Sequence, residues 1–407
     1  MYKRTLKDTI IRTSKTFPVV MITGPRQVGK TTLFESCAEK DRGYVSLDDF
    51  EARAMAQNDP GLFVQSYPPP VIIDEVQYAP NLFSYIKIMV DSKKNNGMYW
   101  LTGSQKFPLM NGITESLAGR VGLVDLLGLS QAEIDGRADK SPPFIPTPEW
   151  IQNARKQVPN PVTLKDVFER IWLGSFPRLH QEKDISRDTF YQSYVSTYIQ
   201  RDVKDILAVS DSMAFSRFLR VVAARTGELL NYSDMARDIG ISVKTAQAWL
   251  SVLETSGLIY LLQPYHSNVT KRIVKTAKLY FLDTGLCSYL TKWPTPEALE
   301  AGAMSGAILE TYVFSEILKS YWHNGIEPNF YYYRDIDQKE VDLVIETGDT
   351  LHPIEIKKTG TPSRTASKNF NALVRLGKKV SHGAVLCLVQ KDVMLSGEVT
   401  AIPIGYL

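Results

Sequence analysis

Residues 17–31 constrain this chain more than any other stretch. Phe17 to Thr23 (FPVVMIT) is a near-continuous apolar run, the pattern of a strand buried on both faces, and it leads directly into Gly24-Pro25-Arg26-Gln27-Val28-Gly29-Lys30-Thr31. That octapeptide has the spacing of a phosphate-binding loop. Gly24 and Gly29 permit turns that a side chain would obstruct. The loop amides and the N-terminus of the following helix face one concavity suited to phosphate oxygens. Lys30 is expected to reach the β- and γ-phosphates of ATP and Thr31 to offer its hydroxyl to Mg²⁺. Pro25, Arg26, Gln27, Val28 and Thr32 complete the cradle.

Three more strand-like runs follow: Gly43 to Leu47, Pro70 to Asp74 and Gly97 to Thr102. Strands alternating with helical stretches predict a mostly parallel α/β sheet. The third run ends in Asp74 and Glu75. An apolar strand that delivers a carboxylate at its tip can hold Mg²⁺ from the side opposite the loop, so Asp74 is assigned to the metal and Glu75 to the attacking water. The fourth run ends in Thr102-Gly103-Ser104-Gln105, at the same sheet edge as the loop. Ser104 or Gln105 is expected to sense the γ-phosphate, with Thr102 as the competing residue. Arg120, in Ser-Leu-Ala-Gly-Arg, is read either as an arginine finger acting in its own or a neighbouring subunit, or as half of a structural salt bridge.

The chain has 407 residues, too long for one core, so several domains are expected. Its 47 basic and 44 acidic side chains give a net charge of +3, which neither demands nor excludes nucleic acid. Cys37, Cys287 and Cys387 are too few and too scattered for a disulfide framework or a zinc site. There is no signal-peptide pattern at the N-terminus and no run of about 18 apolar residues. A cytoplasmic protein without membrane contact is the expectation.

The phosphate loop and its sheet are assigned to residues 1–140. Six prolines between Pro142 and Pro161 read as an ordered crossing loop rather than an element, opening a helical region, 141–220. Residues 221–290 have the shape of a helix-turn-helix: a short helix over Tyr232–Asp238, a turn at Ile239-Gly240-Ile241, and a second helix capped by Ser242. Leu258–Leu262 and Lys278–Phe281 then read as the strands of a wing, separated by a basic loop containing Lys271, Arg272, Lys275 and Lys278. Such a winged helix serves either as a DNA reader, with Lys244, Thr245 and Gln247 toward a groove, or as a protein-interaction module. Trp249 is expected in the core.

The last unit, 300–407, contains Glu340-Val-Asp342-Leu-Val-Ile-Glu346, a turn at Gly348-Asp349, and Ile354-Glu355-Ile356-Lys357-Lys358. Paired as a hairpin, these bring Asp342, Glu355 and Lys357 to one side. Two carboxylates suit a divalent cation, a lysine can activate water or neutralise phosphate charge, and Glu310 on the preceding helix can add an acid. A hairpin with one solvated charged face is the alternative. From Lys357 to Lys379 there are seven basic residues and no acid, a stretch able to hold a phosphate backbone.

GPRQVGKTT, IIDEVQ, LTGS and SLAGR, followed by WLGSFPR (172–178), TYIQRDVKDI (197–206), LETSGLI (253–259), KLYFLDTGL (278–286), EVDLVI and PIEIKKTG, together resemble a large prokaryotic family. Its members join an AAA-type ATPase domain (the AAA_14 type) to a C-terminal domain called DUF4143. The resemblance implies ATP and Mg²⁺ as cofactors, Lys30 and Thr31 as nucleotide and magnesium residues, Asp74 as second metal ligand and Glu75 as catalytic acid. The C-terminal part is similar to the restriction-endonuclease-like fold, whose acids and lysine fall on Asp342, Glu355 and Lys357, with Glu310 on its first helix. The expectation is an α/β multidomain ATPase that couples nucleotide state to double-stranded or branched DNA, with metal-dependent cleavage by the last domain. The alternative is an ATP-controlled switch that holds a protein partner or a second copy of itself.

Overall fold

A computed structural model describes residues 1–103, 116–160, 162–182, 184–199, 212–266 and 276–407. Ser104, Gln105, most of 197–206 and the basic residues Lys271, Arg272 and Lys275 lie outside the described residues.

Five strands make the first sheet: β1 Val19–Thr23, β2 Gly43–Ser46, β3 Val71–Asp74, β4 Tyr99–Thr102 and β5 Val121–Asp125. They run parallel in the order β2-β3-β4-β1-β5. Strand alternation divides β1 between two cores. Val19 and Met21 pack with Ile73, Phe83 and Leu101, while Val20 and Ile22 pack with Ile10, Phe34, Trp100 and Val124. All five β1 residues are therefore buried. β5 and the helix Lys7–Thr16, whose Ile10 joins the second core, are additions to the four strands expected.

The proline-rich stretch corrects the expectation of a plain crossing loop. It contains a helix, Pro148–Gln157, with proline at its first position and the Thr147 side chain capping the Trp150 N–H at 3.3 Å. Phe144 is fully buried, edge-on to Trp150 at 4.7 Å. Two hydrogen bonds fasten it to the C-terminal unit: Phe144 N to Ser320 Oγ and Tyr321 Oη to Phe144 O, each 2.9 Å.

The central unit has helices Ser212–Ala224, Tyr232–Ile239 and Val243–Thr255, with an antiparallel sheet β6-β8-β7 built from Glu228–Leu229, Lys278–Phe281 and Ile259–Leu262. Ser242 caps the helix Val243–Thr255 through the Thr245 N–H at 3.0 Å. Trp249 is core, edge-on to Phe215 and Phe218 at 5.3 Å each.

The last unit places the helix Ser305–Trp322 against a seven-stranded mixed sheet. Its strands are β9 Phe330–Arg334, β10 Glu340–Thr347, β11 Thr350–Ile356, β12 Lys379–Val380, β13 Gly383–Cys387, β14 Val393–Ser396 and β15 Val399–Pro403. β13, β14 and β15 continue the sheet beyond the hairpin, and a run of 3₁₀ turns covers Arg364–Leu376. One apolar core runs from Val20 through Phe218 and Leu318 to Ile354, so the three units share an interior.

Candidate functional site

The loop leaves β1 through Gly24, where φ is +141° and an added Cβ would lie 2.0 Å from the Leu126 carbonyl oxygen. Only glycine fits there. The helix Lys30–Cys37 starts immediately after the loop. Lys30 is buried, and its Nζ donates to the carbonyls of Gly24 at 3.0 Å and Pro25 at 2.8 Å.

β4 lies between β1 and β3, so the ends of all three strands meet. The Thr31 hydroxyl stands 2.8 Å from Asp74 Oδ1. Thr102, fully buried, donates its hydroxyl to the same oxygen and accepts the Glu75 N–H at 3.2 Å. Tyr44 Oη reaches Asp74 Oδ2 at 3.3 Å, and burial together with the Asp74 charge pushes the phenol up to about 12. Glu75 has φ +56°, a left-handed backbone uncommon for a residue with a Cβ, and Gln77 Nε2 donates to its carboxylate. Arg26, Lys30, Thr31, Thr32, Glu75 and Arg178 line an open cleft of about 490 Å³, within the usual size of small-molecule sites.

In the last unit β10 and β11 pair as expected, Thr347 opposite Thr350 across Gly348-Asp349 and Leu343 opposite Ile354. Asp342 and Glu355 are buried side by side, with Asp342 Oδ2 accepting the Ile356 N–H at 2.8 Å. Lys357 Nζ lies 2.5 Å from Glu355 Oε1 and 3.8 Å from Asp342 Oδ2. Burial, reinforced by the Asp342 charge, pushes the Glu355 carboxyl up to about 8, and Glu355 Oε2 has no hydrogen-bond partner. Glu310 stands within electrostatic reach of this pair but is bonded to other partners. Its Oε1 accepts from Lys278 Nζ at 2.7 Å and from Tyr280 Oη at 2.6 Å, and Lys278 also meets Glu340 at 2.9 Å. Among the described residues no three His, Cys, Asp or Glu side chains gather closely enough to hold a metal ion.

Family models match three segments: an AAA domain over residues 16–135, a domain of unknown function (DUF8612) over 164–297 and a domain of unknown function (DUF4143) over 305–407. The N-terminal unit is an AAA domain. Its presence supports ATP-hydrolase activity. Uncharacterized proteins of Mycobacterium bovis and Mycobacterium tuberculosis are each 28% identical over 391 residues, covering 95% of this chain and 80% of the relative. Among solved structures, the Walker-type ATPase PABY2304 of Pyrococcus abyssi aligns at 16% identity and TM-score 0.46, over 71% of this chain and 96% of its own. The RuvB Holliday junction branch migration motor of Thermotoga maritima aligns at 15% and 0.31, over 63% and 88%.

The AAA domain does not bring Arg120 to its own loop. Arg120 precedes β5 at the end of the sheet opposite the loop, with about 15 Å of strand between them. Its guanidinium forks onto Asp91, Nε to Oδ1 at 2.6 Å and Nη2 to Oδ2 at 3.1 Å, and holds that carboxyl below its ordinary range. No helix among the described residues is long and apolar enough to cross a membrane. Sequence reasoning missed Tyr44 and the pivot role of Thr102, and it placed Lys278 in the basic wing loop, whereas Lys278 is buried at the start of its strand. A lysine opening the otherwise apolar strand KLYF was the available signal, since a buried ammonium requires acids around it.

Proposed function

We propose that this protein is a Mg²⁺-dependent ATPase that uses its nucleotide state to control engagement of nucleic acid by the central and C-terminal units. The observation that carries the reading is the meeting of Thr31 and Asp74 at the mouth of the Lys30 loop. A hydroxyl and a carboxylate 2.8 Å apart are hard oxygen donors of the kind Mg²⁺ takes alongside nucleotide phosphates. Thr31 and Asp74 would hold the ion, which when bound neutralises phosphate charge. Lys30 exchanges the Gly24 and Pro25 carbonyls for phosphate oxygens, the loop amides cradle the rest, and Glu75 orients the attacking water. Ser104, next to the β4 end, is assigned to sensing the γ-phosphate. Arg120, remote from its own loop and forked onto Asp91, is assigned either to that structural salt bridge or to a finger toward a neighbouring copy.

Phosphate release from Mg-ATP tests this. Glu75→Gln is expected to lower turnover a hundredfold or more while nucleotide binding persists. Turnover equal to that of the native protein would overturn the assignment.

A second activity, metal-assisted phosphodiester cleavage, is favoured by the Asp342, Glu355 and Lys357 cluster beside a basic run. Asp342 and Glu355 would hold the cation and Lys357 the scissile phosphate. Supercoiled and branched DNA with Mg²⁺ or Mn²⁺ should be nicked by the native protein and left intact by Asp342→Ala. Intact DNA in every nucleotide state, with salt-insensitive capture of a protein instead, would favour the ATP-controlled interaction switch.

A further inference from the structure

Arg4 lies outside every motif of the sequence, yet it is buried beside the nucleotide cleft. Its Nη1 donates to the Val28 carbonyl at 2.8 Å, and its Nη2 donates to the carbonyls of Leu127 at 2.8 Å and Gly128 at 3.3 Å. One planar guanidinium thus joins the phosphate loop to the chain emerging from β5, a task that needs several fixed donors rather than a point charge. The Val28–Gly29 peptide is the important one. In a trans peptide the carbonyl and the following N–H point in opposite directions, so fixing Val28 O fixes the aim of the Gly29 amide.

Behind Arg4 stands Glu133, buried, with Oε2 3.1 Å from Arg4 Nε. Its oxygens also accept the Thr5 N–H at 2.8 Å and the Ser130 N–H at 3.0 Å. Burial works against its ionised form, but the Arg4 charge, His323 and the Ser130 N–H together outweigh that and hold the carboxyl far below its usual range. His323, buried and kept neutral by that burial, faces Glu133 Oε1 at 3.4 Å through Nδ1 and accepts the Leu127 N–H at Nε2, 3.3 Å away. Leu127 is therefore held by its carbonyl through Arg4 and by its amide through His323.

His323 ends the helix Ser305–Trp322 of the C-terminal unit. The same helix face holds two more backbone groups of this AAA segment. Glu316 accepts the Gln131 N–H at 2.8 Å, and Lys319 donates to Leu129 O at 3.0 Å.

We propose that Arg4 is a positioning residue for the phosphate loop, and that the C-terminal unit sets it through His323 and Glu133. This rests on reading residues 24–31 as that loop. The helix that carries His323 also carries Glu310, 13 residues and about 20 Å away, so one rigid element touches both the acid cluster and the groups that aim the loop.

Steady-state hydrolysis and fluorescent-ATP binding by the full chain, with thermal melts, test the proposal. Arg4→Met alone leaves Glu133 buried and unpaired, so the decisive variant is Arg4→Met with Glu133→Gln, which removes both charges together. It is expected to melt within a few degrees of the native protein while its KM for Mg-ATP stays raised tenfold or more. Arg4→Lys, which keeps the charge and loses the fork, is expected to raise KM at least threefold. His323→Leu is expected to raise KM threefold in the native background and to add nothing to the double variant.

A native KM in both the double variant and Arg4→Lys would make Arg4 a charge partner only and overturn the proposal. Equal factors for His323→Leu in the two backgrounds would overturn the part played by the C-terminal unit. A native protein that neither binds nor hydrolyses Mg-ATP would instead overturn the phosphate-loop reading itself.

Discussion

Thr102 has one hydroxyl with two demands on it, donating to Asp74 and accepting the Glu75 N–H at 3.2 Å, in full burial. Removing that hydroxyl leaves a buried amide without an acceptor and a carboxylate short of one donor, at a cost of about 1–3 kcal/mol. Thr102→Val is isosteric, so the loss is polar rather than volumetric. It is expected to lower stability by that amount in urea titrations and to reduce turnover at least tenfold, because both acids lose their fixed position. Thr102→Ser should recover most of each. Equal turnover in the two variants would show that the hydroxyl does not position Asp74 and Glu75. The sequence marked Thr102 as a rival sensor because its place at a strand end was legible, whereas its partners on the neighbouring strand were not. Arg4 was less legible still, since its acceptor at Leu127 is 123 residues away and no local pattern records such a pairing.

At the scale of elements, what the sequence made plain was local. The apolar β1 run, the turn at Gly348-Asp349 and the Ser242 cap each depend on neighbours within a few residues, and each is present. β5 was not legible because Val121, Gly122 and Leu123 are a mixed run whose strand state comes from pairing with Val19 to Met21. The β10–β11 hairpin carries the clearest electrostatic consequence. Glu355 titrates near 8 in the fold and near 4.3 in an unfolded chain. Between those values the native state keeps a proton that the unfolded state has lost, so stability falls as pH rises through the window. Glu310, Asp342 and Lys357 face the same site, and only Lys357 favours the charge. The melting temperature is therefore expected to decline from pH 5 to pH 8, with Glu355→Gln close to the native protein at pH 5 and above it at pH 8. Parallel melting curves for the two proteins, followed by differential scanning fluorimetry, would contradict this.

Across the whole molecule the phosphate loop is where the units meet. The turn after the helix Val243–Thr255 packs Gly257 onto the loop, so that a Cβ there would lie 3.0 Å from Pro25 Cδ. The C-terminal unit reaches the same loop through Arg4. Ligand-driven movement of the loop would thus be felt on two sides, and by linkage the effect runs in both directions. The contact can be separated from simple backbone strain. Gly257 and Gly240 belong to the same unit and have similar φ, +70° and +79°, but nothing lies within 4 Å of a Cβ at Gly240. Gly257→Ala and Gly240→Ala should each lose about 1–2 kcal/mol for placing alanine in a left-handed conformation. Only Gly257→Ala also presses a methyl group against Pro25, and it alone is expected to weaken ATP binding, by threefold or more. Isothermal titration of both variants decides the matter. If both bind ATP with the native affinity, the central unit rests against the loop without influencing it, and any coupling to nucleic acid must pass through the C-terminal helix.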